Sequence, residues 1–118
     1  MMIKRTLTLP KSKYYQIHLS IINPLLPEGA QMTPKEIEVL AIFMSLDGDI
    51  GQDRFGTTAK KIVKEQLKLS DGGLGNYMSS FKNKQLIVLK EGKLQIQPLL
   101  MASANEQDYT FKLINYNG

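Results

Sequence analysis

The segment that most constrains this chain begins at Thr33-Pro34-Lys35-Glu36 and continues as EIEVLAIFMSL. Thr33 supplies an N-cap hydroxyl, Pro34 suits the first helical position, and Glu36 stands three residues after the cap, where it can bond back to the cap's own amide. A helix therefore starts here. Its body is apolar at 37, 39 to 44 and 46, which leaves almost no polar face. Such a helix has to be covered on more than one side, so the fold must be organised around it. The chain's 118 residues, 42% of them apolar, suffice for such a core, because folding at this size hides roughly two thirds of the extended chain's surface.

Flanking segments read as short elements joined by polar turns. Ile3, Leu7 and Leu9 lie on one side of an alternating stretch closed by Pro10, which reads as a strand. Residues 13–22, KYYQIHLSII, satisfy both periods: Tyr15, Ile17, Leu19 and Ile21 alternate, while Tyr14/Tyr15, His18/Leu19 and Ile21/Ile22 recur at helical spacing. Ser12 as an N-cap and Asn23-Pro24 as a terminator favour the helix. Beyond the central helix, DGDIGQD is a break, and Arg54-Phe55 is expected as a short bridging strand. Thr57 or Thr58 then caps a helix running to about Leu67, with Ala59, Ile62, Val63 and Gln66 on one face and Lys60, Lys61, Lys64 and Lys68 on the other. A third helix is expected over 72–84. Leu74, Tyr77, Met78 and Phe81 share its apolar side, opposite Asn76, Ser79, Ser80 and Asn83, with Lys82 and Lys84 flanking the polar side. Val88-Leu89, the Glu91-Gly92 turn and Leu94 to Ile96 form a hairpin closed by Pro98, and Tyr109, Phe111 and Leu113 alternate as a last strand.

Charge is segregated along the chain. The net +4 divides into +4 over residues 1–13, −4 over 14–56, +5 over 57–93 and −1 over 94–118. With no cysteine and one histidine, His18, there is no thiolate or two-histidine metal site and no cysteine nucleophile. Asp47, Asp49 and Asp53 are close in sequence, but Gly51, Gln52 and Thr58 occupy positions where a calcium loop needs a ligand, a glycine and a glutamate, so a polar loop is the reading. No phosphate loop, nucleophile elbow or spaced acid/base pair is present, and the expectation is a non-enzyme without cofactor or metal. No apolar run approaches the ~20 residues of a membrane span, and the opening MMIKRTLTLP has no secretory apolar region, so a cytoplasmic location is expected.

Helix, short strand, helix, tight turn, amphipathic helix and hairpin is the element order of the winged helix-turn-helix superfamily. The stretch KLSDGGLGNYMSSFKNKQLIVLKEGKLQI, residues 68–96, resembles its recognition helix and wing: a Leu-Ser turn entry, core-facing Leu74, Tyr77/Met78 and Phe81, and a Lys84-Gln85-Leu86-Ile87 exit. The resemblance covers roughly residues 33–97 and is closest in plan to the small winged-helix proteins encoded by bacteriophages. Two departures stand out. Gln85 replaces a frequent glycine, and Gly72, Gly73 and Gly75 crowd the start of the third helix, either as a longer turn or as a place of close backbone approach.

The resemblance implies an α+β single domain: a strand/helix extension over 1–32, a three-helix core with a hairpin wing over 33–97, and a C-terminal extension over 98–118. It implies double-stranded DNA as partner, with Asn76, Ser79, Ser80 and Asn83 toward base edges, and with Lys60, Lys61, Lys64, Lys68, Lys82, Lys84, Lys90 and Lys93 toward phosphates. Lys4, Arg5, Lys11 and Lys13 would form a second basic arm. The chain's two arginines, Arg5 and Arg54, lie off the third helix, which points away from arginine-to-guanine readout. The expected function is a transcriptional regulator or replication accessory acting as a homodimer. The alternative is an adaptor that binds another protein, for which the all-round apolar helix at 36–46 would be the partner surface.

Overall fold

The computed structural model describes residues 5–103 and 105–116. Five helices are followed by a two-stranded antiparallel hairpin, a small α+β arrangement. The helices are α1 (Lys11–Ile22), α2 (Pro34–Met44), α3 (Gly48–Gln52), α4 (Thr57–Leu67) and α5 (Asp71–Asn83), and the strands are β1 (Ile87–Lys90) and β2 (Lys93–Ile96). Single-turn 3-10 segments lie at Asn23–Leu25, Glu28–Ala30 and Pro98–Leu100. No helix among the described residues is long and apolar enough to cross a membrane.

The central helix forms as its cap dictates. The Glu36 amide donates to Thr33 Oγ1 at 3.2 Å, and the Thr33 amide donates to Glu36 Oε1 at 2.9 Å, which closes the reciprocal box. Ile37 and Val39 to Met44 are all buried. α1 packs along α2 with Tyr15, His18 and Leu19, one helical stripe, and α4 packs on α2 as well. The run at 36–46 is thus consumed inside the molecule, and it lends no support to a partner surface there. α1 resolves the double periodicity of 13–22 in favour of helix, because only the 3.6-residue period sets Tyr15, His18 and Leu19 side by side against α2. It starts at Lys11 with Pro10 as N-cap, so Ser12 lies inside the helix instead of capping it.

Three expected strands are absent among the described residues. Arg54-Phe55 is a turn: Phe55 is buried with its ring centroid 4.8 Å from that of Phe43. The Arg54 guanidinium donates to the carbonyls of Phe43 at 2.8 Å, Met44 at 3.0 Å and Leu46 at 3.3 Å. These oxygens lie at and just beyond the C-terminal end of α2, where the helix supplies few donors, and a cation there also meets the negative end of the helix dipole. α3, which the sequence reading left as a break, sits between. Residues 5–9 are not a strand either, and Ile3 and Lys4 of that expectation lie outside the described residues. Tyr109 to Leu113 is irregular and pairs with no strand among the described residues.

The C-terminal segment crosses α1. Tyr14 donates its hydroxyl to the Ser103 carbonyl at 2.7 Å. His18 is buried, with Nε2 2.9 Å from the Leu100 carbonyl and Nδ1 bonded to the Tyr109 hydroxyl. Because a carbonyl only accepts, Nε2 carries the proton and Nδ1 accepts from Tyr109 in the neutral ring. Burial pushes the imidazole pKa down, against a smaller opposing effect of the Leu100 carbonyl, so the ring stays neutral near pH 7.

The exit from α5 explains Gln85. Its φ is 58°, the left-handed region, the Gln85 amide donates to the Lys82 carbonyl at 3.1 Å and the Leu86 amide donates to the Phe81 carbonyl at 2.9 Å. That pair of bonds is the Schellman ending, completed by the buried Phe81 and Leu86 side chains. The backbone is the one a glycine would adopt freely, and here a side chain is forced into it. Gln85→Gly is expected to raise stability by about 1 kcal/mol, measured as an increased urea midpoint with unchanged slope.

Candidate nucleic-acid interface

α5 begins earlier than expected, at Asp71, with Ser70 as N-cap accepting from the Gly73 amide at 2.9 Å. Gly72, Gly73 and Gly75 are therefore helical and not a prolonged turn. A Cβ added at Gly72 or Gly75 would meet nothing within 4 Å. Neither glycine is required by packing in this chain. Each costs about 1 kcal/mol against alanine in a helix interior, and neither loss is returned by an internal contact.

The polar side of α5 divides into two parts. Asn76, Ser79, Lys82 and Asn83 are exposed, with Asn76, Ser79 and Asn83 at i, i+3 and i+7 along one stripe beside Gly72 and Gly75. Ser80 and Lys84 turn the other way, toward α2. The Ser80 hydroxyl donates to Glu36 Oε2, and Lys84 Nζ donates to Glu36 Oε1 at 2.7 Å. These two residues hold α5 against the start of α2 instead of facing outward, which corrects their expected place among the DNA contacts. Helical spacing alone put Ser80 near Asn76 and Ser79; the carboxylate that claims it lies 44 residues earlier.

Glu36 is 5% exposed and ionised. Burial by itself pushes its carboxyl up, but hydrogen bonds from Lys84, Ser80 and the Thr33 amide, with the Lys84 charge, outweigh burial and hold it at about 2. The cluster is a partly buried ion pair with every carboxylate oxygen used.

The lysines separate by the same criterion. Lys64 pairs with Asp71 in the first turn of α5, and the ammonium holds that exposed carboxyl below its usual range. Lys60, Lys61, Lys68, Lys82, Lys90 and Lys93 make no ion pair with a described residue. A groove of about 340 Å³ between α4 and α5 is lined by Lys60, Lys64, Ser79 and Lys82, with Gly75 and Asp71 also on its walls. Lys61 lies on a neighbouring depression, and Lys68 is exposed at the left-handed end of α4. At the hairpin turn Lys90 and Lys93 are direct cross-strand partners, both exposed. Like charges placed opposite each other in a ladder repel, so the turn carries an electrostatic cost that an external anion would relieve.

In the N-terminal basic segment, Arg5 and Lys13 are exposed, Lys11 pairs with Asp47, and Lys4 lies outside the described residues. Of the three clustered aspartates, Asp47 is thus engaged by Lys11, and the Asp49 side chain lies outside the described part. No group of three potential ligands among the described residues is arranged to hold a metal ion.

Neither a protein-family model, a curated protein nor a solved structure matches this chain. The geometry therefore carries the functional argument without support from a relative.

Glu36→Gln tests the tether between α2 and α5. A carboxyl held low in the folded state stabilises fully above its ordinary value of 4.5, and that contribution is lost as pH falls through about 2. The variant is expected to be less stable by on the order of 3 kcal/mol at pH 7, with the difference from the parent vanishing toward pH 2 in urea titrations.

Proposed function

We propose that this chain is a DNA-binding protein of winged-helix type. In this reading α2, α4 and α5 are the three-helix core, α5 is the helix presented to the major groove, and the β1–β2 hairpin is the wing. The observation that carries it is the groove between α4 and α5, where Lys60, Ser79 and Lys82 converge beside the bare helical backbone of Gly75. A basic rim around an uncharged, hydrogen-bonding stripe is what duplex recognition needs: cations for phosphates, small polar groups for base edges.

The contact set is narrower than the sequence implied. Lys60, Lys61, Lys68, Lys82, Lys90 and Lys93 are free of internal ion pairs and serve phosphates, while Asn76, Ser79 and Asn83 face bases. Asparagine pairs bidentately with adenine, so A·T-containing sites are favoured over guanine-rich ones. Ser80 and Lys84 act indirectly, by fixing the helix that carries the others. A role as transcriptional regulator or replication accessory fits this reading, with double-stranded DNA as partner and no chemistry performed on it.

The deciding experiment is anisotropy of a labelled duplex titrated with the protein at several salt concentrations. Binding should weaken steeply with salt, log K falling by ~0.9 per phosphate contact for each decade. Lys60→Glu combined with Lys82→Glu should abolish retention while leaving the circular dichroism spectrum unchanged, and retention equal to the parent's would overturn the reading. The glycines give an independent check. Gly75→Ala should stabilise the fold by up to ~1 kcal/mol and yet weaken DNA binding, because the added methyl group stands where the duplex backbone has to approach.

A further inference from the structure

Neither edge of the hairpin is paired among the described residues, and the edge of β2 borders a cleft. The Gln97 amide donates to the Leu86 carbonyl at 2.9 Å, which makes Leu86 and Gln97 a hydrogen-bonded pair immediately below the register pair Ile87 and Ile96. Bonded and non-bonded pairs alternate in an antiparallel ladder, so Val88 with Gln95 and Lys90 with Lys93 are bonded pairs, and the amides and carbonyls of Leu94 and Ile96 point away from β1. No third strand among the described residues receives them. Along that edge runs a cleft of about 300 Å³, lined by Leu94 and Ile96 together with Gln52, Arg54 and Met101. Arg54 lines the cleft while its guanidinium donates to the carbonyls at the end of α2.

The same chain carries a segment that pairs with no strand among the described residues. After Tyr109, which is tied to His18, the chain continues as Thr110-Phe111-Lys112-Leu113-Ile114-Asn115-Tyr116. Tyr109, Phe111 and Leu113 alternate with polar residues as on one side of a strand, and the Tyr109 and Phe111 rings stack with centroids 6.5 Å apart and planes at 14°. Phe111 is nevertheless 60% exposed and Leu113 is 96% exposed, so the chain's own body covers neither. Ile114 and Tyr116 are exposed as well, so the segment's apolar side chains lie on the outside of the molecule.

We infer that residues 110–116 of one copy add to the open edge of β2 in a second copy, and that the exchange is reciprocal. An open edge and an unpaired segment of strand-like sequence on one chain, its apolar side chains exposed, are satisfied together by a two-fold pair. Phe111 and Leu113 then enter the cleft beside Leu94 and Ile96, while Thr110 and Lys112 face water. Glu106 and Asp108, at the root of the segment, come toward a cleft whose wall carries Arg54, so the charges of donor and acceptor agree. The inference stands apart from the DNA reading.

Sedimentation velocity across a wide concentration range, with amide hydrogen exchange at its two ends, tests the exchange. Expected are a mass twice 13.3 kDa at high concentration and Leu94 and Ile96 amides slowed by at least ~10-fold in the dimer relative to the dilute monomer. Deleting residues 109–118, or Phe111→Lys with Leu113→Lys, should halve the mass and restore fast exchange; the double variant alters exposed side chains only and leaves the core intact. A monomer at every concentration overturns the inference. So does a dimer whose Leu94 and Ile96 amides still exchange freely, which means pairing elsewhere, and so does protection that persists in a monomer, which means the segment folds back on its own chain.

Discussion

The carboxylate of Glu36 is the point from which the arrangement of the helices follows. It completes the cap of the central helix, and its two oxygens then receive a hydroxyl and an ammonium from the last turns of α5. One side chain therefore sets both where α2 begins and how α5 lies across it. An ionised group at this depth is tolerable only because each oxygen is occupied. Removing any of its partners leaves charge in a poor solvent, whereas an apolar contact at the same place would permit α5 to slide or roll. The orientation of the exposed Asn76, Ser79 and Asn83 stripe is a consequence of this anchor.

Local chemistry made much of the architecture legible from sequence. Thr33 and Glu36 marked the start of α2, Asn23-Pro24 the end of α1, and Glu91-Gly92 the hairpin turn, because each is a constraint that a few adjacent residues satisfy among themselves. Elements that depend on distant partners were not legible. Arg54-Phe55 has the composition of a strand, yet Arg54 is drawn to three carbonyls at the end of α2, and nothing within its neighbourhood in sequence announces them. Ser12 looked like a cap although Pro10 holds that position. Tyr109 to Leu113 alternates correctly but finds no edge in its own chain.

The candidate interface divided in the same way. Amphipathic spacing separated the core-facing Leu74, Met78 and Phe81 from the opposite face, and burial agrees. Spacing had no means of splitting that opposite face into the outward Ser79 and the inward Ser80, which are neighbours. One signal was present: Glu36 sits on a helix with no solvent face, and a carboxylate in that position requires a donor from somewhere, most economically a lysine and a hydroxyl one turn apart. Lys84 and Ser80, at i and i+4, are such a pair. The glycines were ambiguous until the helix was seen to run through them with open space beside two of them.

His18 has a consequence for how the molecule meets charged partners. Both nitrogens of the chain's single imidazole are occupied inside the fold, and burial keeps the ring uncharged. The chain's one histidine therefore adds no charge near pH 7 to the long-range field around the protein. Ionic strength, acting through the thickness of the counterion cloud, sets how far that field reaches.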